Sequence, residues 1–294
     1  MTSPDTTEEM PPPCVGVDLG ATLAKLAVRA PGGNLHFEFL SASNLQTLEE
    51  RIAELGPGRI GMTGCGASAL EDQLGQPAQR CVEFEAWGRG SRTLLRGQNV
   101  DTDAPYLLVS LGTGTSILRV EGDEVSRLGG TALGGGTMLG LGVALTGCQS
   151  HEELCRLAEE GDRGRVDLRV SDIYREGEIA LPGDTTAAAF GNLARWLSRD
   201  KKSRDGVNDI PSQPADLAAA VMGLVGENVA LLCCGLAAAT GVNHLVYGGG
   251  TLHHNPVLAS IIESVSQGLG RTPVFLENGS FAGAVGALER GSEA

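Results

Sequence analysis

Positive charge is scarce in this sequence. The 294 residues carry 22 Lys and Arg against 36 Asp and Glu, a net charge of −14. A chain this acidic is a poor general binder of nucleic acid or of an anionic membrane. An anionic substrate is still permitted, because backbone N–H groups and single Arg or Lys side chains hold one locally. Long apolar runs are missing too. The longest, around Val229 to Ala239, is too short to span a bilayer. The opening MTSPDTTEEMPPP has neither the basic region nor the apolar stretch of a signal peptide, and reads as a disordered lead over residues 1–13. Seven cysteines occur at irregular spacings without a CxxC pair, and His151 near Cys148 makes no zinc pattern. Free thiols in a reducing compartment follow. These absences predict a soluble, cytoplasmic protein with no nucleic-acid and no membrane partner.

Motif absences narrow the chemistry. No GxxxxGK[ST] occurs, and no GxGxxG opens a βαβ unit, which argues against a P-loop enzyme and a Rossmann dehydrogenase. None of the five histidines falls in a GxSxG or HExxH context. Trp87 and Trp196 lie on helical faces and read as core or interface residues.

Glycine is abundant instead: 43 residues, about twice the usual share. The most informative stretch is residues 105–147. An apolar run, Tyr106–Val109, enters the turn Gly112-Thr113-Gly114-Thr115-Ser116, and a second run, Ile117–Val120, leaves it. Gly129-Gly130-Thr131 and Gly134-Gly135-Gly136 follow, ahead of an apolar helical run. Such glycines let the backbone approach something bulky and take φ > 0 without strain. With Ser and Thr hydroxyls beside them, they suit phosphate oxygens held by backbone N–H groups.

The same strand–turn–strand pattern occurs earlier. Strands are predicted over 14–18, 24–29 and 35–40, with the turn Leu19-Gly20-Ala21-Thr22 and a hairpin at Pro31-Gly32-Gly33-Asn34. A helix over 45–55 and a strand over 59–63 follow, then a short helix over 67–75, a strand ending at Glu83 and a helix from Glu85. After Asp101-Thr102-Asp103 the pattern restarts, a weak internal repeat with a boundary near residue 104. The second half is richer in helix: 136–146, 151–160 behind a Ser150/Glu153 capping box, 185–198, the long apolar 214–240 stopped by Gly241, 256–269 and 281–289. Strands are expected at 243–247, ahead of Gly248-Gly249-Gly250-Thr251, and at 273–276. The domains are therefore 14–104 and 105–294, an α/β pair with a ligand cleft between them.

Each candidate site residue has a plain alternative. Asp18, at a strand end beside a Gly/Thr turn, suits Mg²⁺ held through water, or is a turn residue only. Lys25 on the next strand points at a phosphate or at solvent. Glu83 suits a general base for a hydroxyl, or is a helix-start glutamate favoured by the dipole, and Glu85 competes with it. Arg127 suits a forked pair with a carboxylate, or is a surface arginine.

Gly16-Val-Asp18-Leu-Gly20-Ala21-Thr22-Leu-Ala-Lys25 and Leu107-Leu-Val-Ser-Leu-Gly112-Thr-Gly114-Thr-Ser116 resemble the two phosphate loops of the type II (eukaryotic-like) pantothenate kinases. The block from Arg127 through Gly134-Gly-Gly136-Thr137 to Leu145-Thr-Gly147 is similar to the family's most distinctive segment. The likeness continues through Asp172-Ile-Tyr174, Leu181-Pro-Gly183, Ala188-Ala-Phe-Gly191-Asn192, Val246-Tyr-Gly-Gly-Gly250 and Phe281-Ala-Gly-Ala-Val-Gly-Ala-Leu288. The resemblance implies two ribonuclease-H-like domains in an actin-like ATPase fold, closed around ATP, as in the sugar-kinase, heat-shock-ATPase and actin superfamily. It implies phosphorylation of pantothenate, with ATP and Mg²⁺, in coenzyme A synthesis. By position, Glu83 is the catalytic carboxylate, Thr113, Ser116 and Arg127 meet pantothenate, and Asp18 is the Mg²⁺-associated acid. Gly20, Ala21, Thr22, Lys25, Gly112, Gly114, Gly134, Gly135, Gly136 and Thr137 are ATP-facing. A homodimer is implied, with coenzyme A or acyl-CoA as a feedback ligand. Two departures stand out: Ala21 replaces a common glycine, so its backbone must suit Ala, and Thr113 replaces a common serine but keeps the hydroxyl.

Overall fold

The computed structural model describes residues 12–30, 32–178, 183–197 and 212–293, with the side chains of 196 and 197 left out. Most of the predicted lead, Pro31 of the hairpin, Leu181-Pro182, the Trp196 side chain and Ser198 lie outside the described residues.

Two five-stranded sheets share one topology. In the first, β1 (Cys14–Leu19), β2 (Leu23–Arg29) and β3 (Leu35–Ser41) form an antiparallel meander. Helix α1 (Leu45–Leu55) then returns the chain so that β4 (Arg59–Thr63) pairs parallel to β1. Asn44 caps α1 through the Thr47 amide, and Gly56 ends it with φ +55°. After α2 (Ala67–Glu71), β5 (Gln79–Arg80) extends the sheet in the order β3-β2-β1-β4-β5. The second sheet repeats this. The meander is β6 (Tyr106–Leu111), β7 (Thr115–Glu121) and β8 (Glu124–Thr131), and the parallel additions are β11 (His244–Gly248) and β12 (Thr272–Phe275). Its order, β8-β7-β6-β11-β12, matches the first sheet strand for strand. The repeat read from two Gly/Thr turns is thus a repeat of whole sheets. In each half the first strand and its parallel neighbour end on the same side, where ligands bind in α/β sheets.

Helices α4 (Gly135–Thr146), α5 (His151–Glu160), α6 (Gly191–Leu197) and α7 (Pro214–Thr240) are inserted between β8 and β11. Helix α7 is long and apolar enough to cross a bilayer by composition, yet 67% of its most apolar window is buried in the protein. Val221, Met222, Val225, Val229 and Cys233 pack against Leu107, Val109 and Tyr247 of the second sheet in one core cluster. It is a core helix, stopped by Gly241 at φ +70°.

Four local expectations change. The strand expected to end at Glu83 stops at Arg80, and the helix expected from Glu85 begins at Glu83, where the chain has left the short β4–β5 pairing. β8 forms where no strand was expected, because pairing with β7 outweighs its two glycines. Residues 186–188 are not helical: β10 (Thr186–Ala188) pairs with β9 (Leu168–Arg169), so pairing overrides the helix preference of the alanines. The Ser150 cap holds, accepting from Glu153 N at 3.1 Å, but Glu153 Oε2 accepts from Gln149 N rather than Ser150 N.

Between the sheets lie α3 (Glu83–Gly97) and α9 (Ala282–Ser292), while α8 (Pro256–Gly268) packs with α7 on the other face of the second sheet. Helix α9 follows the second sheet in sequence but packs on α3, β1 and β4. It does so at backbone contact. A Cβ on Gly16 would lie 2.0 Å from Ala284 O, on Gly61 1.8 Å from Ala287 O, and on Gly90 1.8 Å from Ala282 O. These glycines mark close packing rather than turns.

Candidate active site

Asp18 and Lys25 are cross-strand partners in the β1–β2 register, so their side chains share a face. Lys25 Nζ donates to Asp18 Oδ2 at 3.3 Å. Asp18 is 3% exposed. Gly64 and Gly283 enclose it: a Cβ on Gly64 would lie 2.9 Å from Asp18 Oδ1, and one on Gly283 2.6 Å from Oδ2. Only a residue without a side chain lets the start of α9 close over this carboxylate.

Glu83 is the first residue of α3, behind Val82, which offers no side-chain cap. The dipole reading of Glu83 is therefore correct as far as it goes. Its charge environment adds more. The surrounding protein pushes its carboxyl above the ordinary range, Asp18 pushes it further, and Lys25 pulls it back. Glu83 is solvent-exposed, yet near enough to this acid–lysine pair for both charges to act on its carboxyl. The Glu85 charge instead acts on the Cys81 thiol. The two glutamates that looked equivalent in sequence thus face different neighbours.

Arg127 lies on β8 next to a register shift, with Leu118 opposite Arg127 and Ile117 opposite Gly129. It is exposed and makes no hydrogen bond or ion pair among the described residues. Its guanidinium folds along Gly130, where a Cβ would lie 2.9 Å from Nη2, and Gly130 is the partner of Ser116. Val125, two residues earlier on the strand, packs against Gly88 of α3. Arg127, Ser116 and the α3 side of the site are thereby neighbours.

The glycine loops divide their amides into used and free. Gly20 N donates to Leu23 O, Gly112 N to Gly114 O, Gly135 N to Gly112 O at 2.8 Å and Gly136 N to Thr113 O at 2.9 Å. The amides of Ala21, Thr22, Thr113 and Gly114 have no partner among the described residues. The Gly134 and Thr137 amides likewise have no partner among the described residues, so the N–H groups available to an anion lie at the two turns and at the start of α4. Gly134–Gly136 brace the second turn from below: a Cβ on Gly134 would lie 2.7 Å from Gly114 Cα, and on Gly136 2.8 Å from Thr113 Cγ2. Thr137 turns its hydroxyl back to Ala132 O at 2.9 Å. Among Gly20, Gly112, Gly114, Gly134, Gly135, Gly136 and Gly249, Gly249 alone takes positive φ, +114°; Gly64, against Asp18, also does so at +94°. The others are there for space. Ala21 also keeps negative φ, as its side chain requires.

Gly64, Gly283 and Trp87 went unread as site residues. The readable signal was Gly283 and Gly286 inside one helix, each costing about 1 kcal/mol against Ala unless something packs there. Trp87 is 6% exposed, one turn after Glu83. Its indole nitrogen lies 3.1 Å from the Cβ position of Gly283.

The sequence pattern of the Fumble family matches residues 33–290. A type II pantothenate kinase of Staphylococcus aureus strain MRSA252 is 34% identical over 277 residues, spanning 94% of this chain and 99% of its own length. The chain belongs to the Fumble family. Another type II pantothenate kinase, from S. aureus strain USA300, is 34% identical over 274 residues, spanning 93% of this chain and 98% of its own. Solved structures share the fold of this Fumble-family chain. (R)-2-hydroxyglutaryl-CoA dehydratase component A of Acidaminococcus fermentans superposes with a TM-score of 0.61 at 16% identity, covering 96% of this chain and 98% of its own. A ROK family glucokinase of Streptomyces griseus, solved with glucose and AMPPNP, gives 0.57 at 14% identity, covering 96% and 100%. The actin-like ATPase fold that the family resemblance implies is the fold observed.

Proposed function

We propose that this chain transfers the γ-phosphoryl group of ATP to the primary hydroxyl of pantothenate, giving 4'-phosphopantothenate in the first step of coenzyme A biosynthesis. The observation that carries the reading is the Lys25–Asp18 pair at 3.3 Å beside the two glycine turns, with Glu83 near enough for both charges to act on it, in a chain 34% identical to a type II pantothenate kinase over 94% of its length. Glu83 accepts the hydroxyl proton. The oxygen's electron pair forms the new P–O bond as the bond from the γ-phosphorus to the bridging oxygen breaks, and ADP leaves with the electron pair of that broken bond. Arg127 holds the pantothenate carboxylate, with Thr113 and Ser116 beside it. The free amides of Ala21, Thr22, Thr113 and Gly114 meet phosphate oxygens together with Lys25. Such catalysis is mostly positioning and charge stabilisation.

Among the described residues no three His, Cys, Asp or Glu side chains group closely enough to cage a metal. Mg²⁺ needs only one or two carboxylates and keeps waters and phosphate oxygens. Asp18, a buried carboxylate at the strand end, fits that role through water. When bound, Mg²⁺ neutralises charge on the β- and γ-phosphates.

A coupled ATPase assay with pantothenate, with sugars and with no acceptor tests the assignment. Turnover on pantothenate alone is expected. Turnover on a sugar would favour a kinase of another acceptor, and no turnover a nucleotide- or acyl-CoA-sensing pseudokinase. Adding coenzyme A or acyl-CoA to the same assay tests either as a feedback ligand. For Arg127→Ala, KM for pantothenate is expected to rise about 10- to 100-fold, the value of a charged hydrogen bond, with KM for ATP little changed. An unchanged KM for pantothenate removes Arg127 from the site.

We further propose a cytoplasmic homodimer, with lobes divided near residue 104 and α9 crossing back to the first. Exposed Val143 and Leu145 on α4 and Leu231 on α7, two helices packed together, support the dimer face. Leu231→Glu is expected to sediment as a monomer where the unaltered chain sediments as a dimer. A dimer that survives this change places the contact elsewhere.

A further inference from the structure

We propose that Thr251 is a positioning residue that locks the turn 112–116, which serves both phosphate and acceptor in the reading above, to the loop after β11. The proposal rests on the kinase reading above. Thr251 is 5% exposed, yet its hydroxyl is used for one bond: Oγ1 donates to Gly112 O at 2.8 Å. The same carbonyl accepts the Gly135 amide at 2.8 Å. One oxygen therefore joins three glycine segments: the turn 112–116, the start of α4 and the loop after β11. Gly135 is glycine for this reason, since a Cβ there would lie 2.4 Å from Thr251 Oγ1.

Thr251 is itself held from behind. Asn255 Nδ2 donates to Thr251 O at 3.3 Å, while Asn255 Oδ1 caps α8 by accepting from Leu258 N at 3.1 Å. Asn255 is 2% exposed. The loop cannot slide along β6 either. Gly249 sits so close that a Cβ would lie 2.2 Å from Leu111 O, and Ser280 Oγ donates to Gly249 O at 3.3 Å. The loop from Gly248 to Thr251 is thus anchored to α8 and to the segment ahead of α9. Its hydroxyl is the side-chain hydrogen bond, among the described residues, that passes this anchoring to Gly112, and Gly112 sets the free amides of Thr113 and Gly114.

A residue that only filled space would affect one substrate or the fold. A lock between the loops affects both substrates. Thr251→Val keeps the shape and removes the hydroxyl, and Gly112 O is not orphaned because the Gly135 amide remains. Binding of a non-hydrolysable ATP analogue is expected to weaken about tenfold, the loss of roughly one buried hydrogen bond, with KM for pantothenate rising by a similar factor. Thr251→Ser keeps the donor and is expected to stay within about threefold of the unaltered chain in both. Thr251→Ala repeats the hydroxyl loss with less bulk, should Val disturb the fold as judged by melting temperature. Unaltered binding and KM in Val and Ala, or a Ser variant as impaired as Val, overturns the proposal. Failure of the unaltered chain to use pantothenate overturns the acceptor assignment instead, and the analogue-binding comparison still decides Thr251.

Discussion

Glu83→Gln is expected to fold normally and to lose turnover by ~10²- to 10⁴-fold, the usual contribution of a general base. The physical reason is the site's charge order. Asp18 is committed to Lys25 at 3.3 Å, and Glu85 faces Cys81. That leaves Glu83 as the carboxylate free to take a proton. Its carboxyl is held above the ordinary range by burial and by Asp18, so it binds a proton more tightly than a surface glutamate does. The acid limb of kcat/KM should therefore lie above the ordinary carboxylate pKa, and the limb should disappear from the residual activity of the Gln variant.

Stability follows the same sign. A carboxyl whose folded pKa is raised binds more protons in the folded state, so stability falls as pH rises between the unfolded and folded values. Above that window the ionised Glu83 is a cost. Gln removes it and gives up only the favourable charge at the α3 start, about 0.3–1 kcal/mol. Turnover against pH and thermal melting of both proteins measure these effects. Near-normal turnover in the Gln variant would sink the assignment.

Gly286→Ala should be among the most destabilising single changes in the chain, by about 3 kcal/mol or more. The new Cβ would sit 1.8 Å from Ala86 O and 2.5 Å from Ala86 C, which are backbone atoms of α3 and cannot rotate away. Relief requires α3 and α9 to part. Helix α3 begins at Glu83, and the start of α9 encloses Asp18 through Gly283, so parting them also separates the acid pair. Activity should fall even at temperatures where the variant remains folded. Gly97→Ala, at the end of α3 with open space at its Cβ position, is the control. It should be neutral, or stabilising by up to about 1 kcal/mol. Denaturant unfolding of the two variants reads the difference directly, and equal stabilities would refute the close-packing account of these glycines.

Much of the fold was legible because it is local. Short apolar runs marked β1, β2, β6 and β7, and Ser150 and Gly241 marked helix ends that the structure keeps. Where local preference met pairing, it lost: Thr186–Ala188 became a strand and Glu124–Thr131 completed a meander. Glycines were the subtler case. Freedom of φ explains Gly249. Gly130, Gly134, Gly135 and Gly136 answer to neighbours distant in sequence, such as Thr115, Gly114, Thr251 and Thr113.

By itself the sequence determined the residue types of the site, the two Gly/Thr turns, the repeat and the family. Those properties depend on order along the chain and on backbone preferences a few residues wide. Tertiary structure alone decided that Glu83 feels the charges of Asp18 and Lys25, that the free amides gather at the two turns and the start of α4, and that α9 returns to close over Asp18. Charge, hydrogen bonding and van der Waals contact act through space. Residues 18, 83 and 283 share one site only after two sheets and a crossing helix have brought them together.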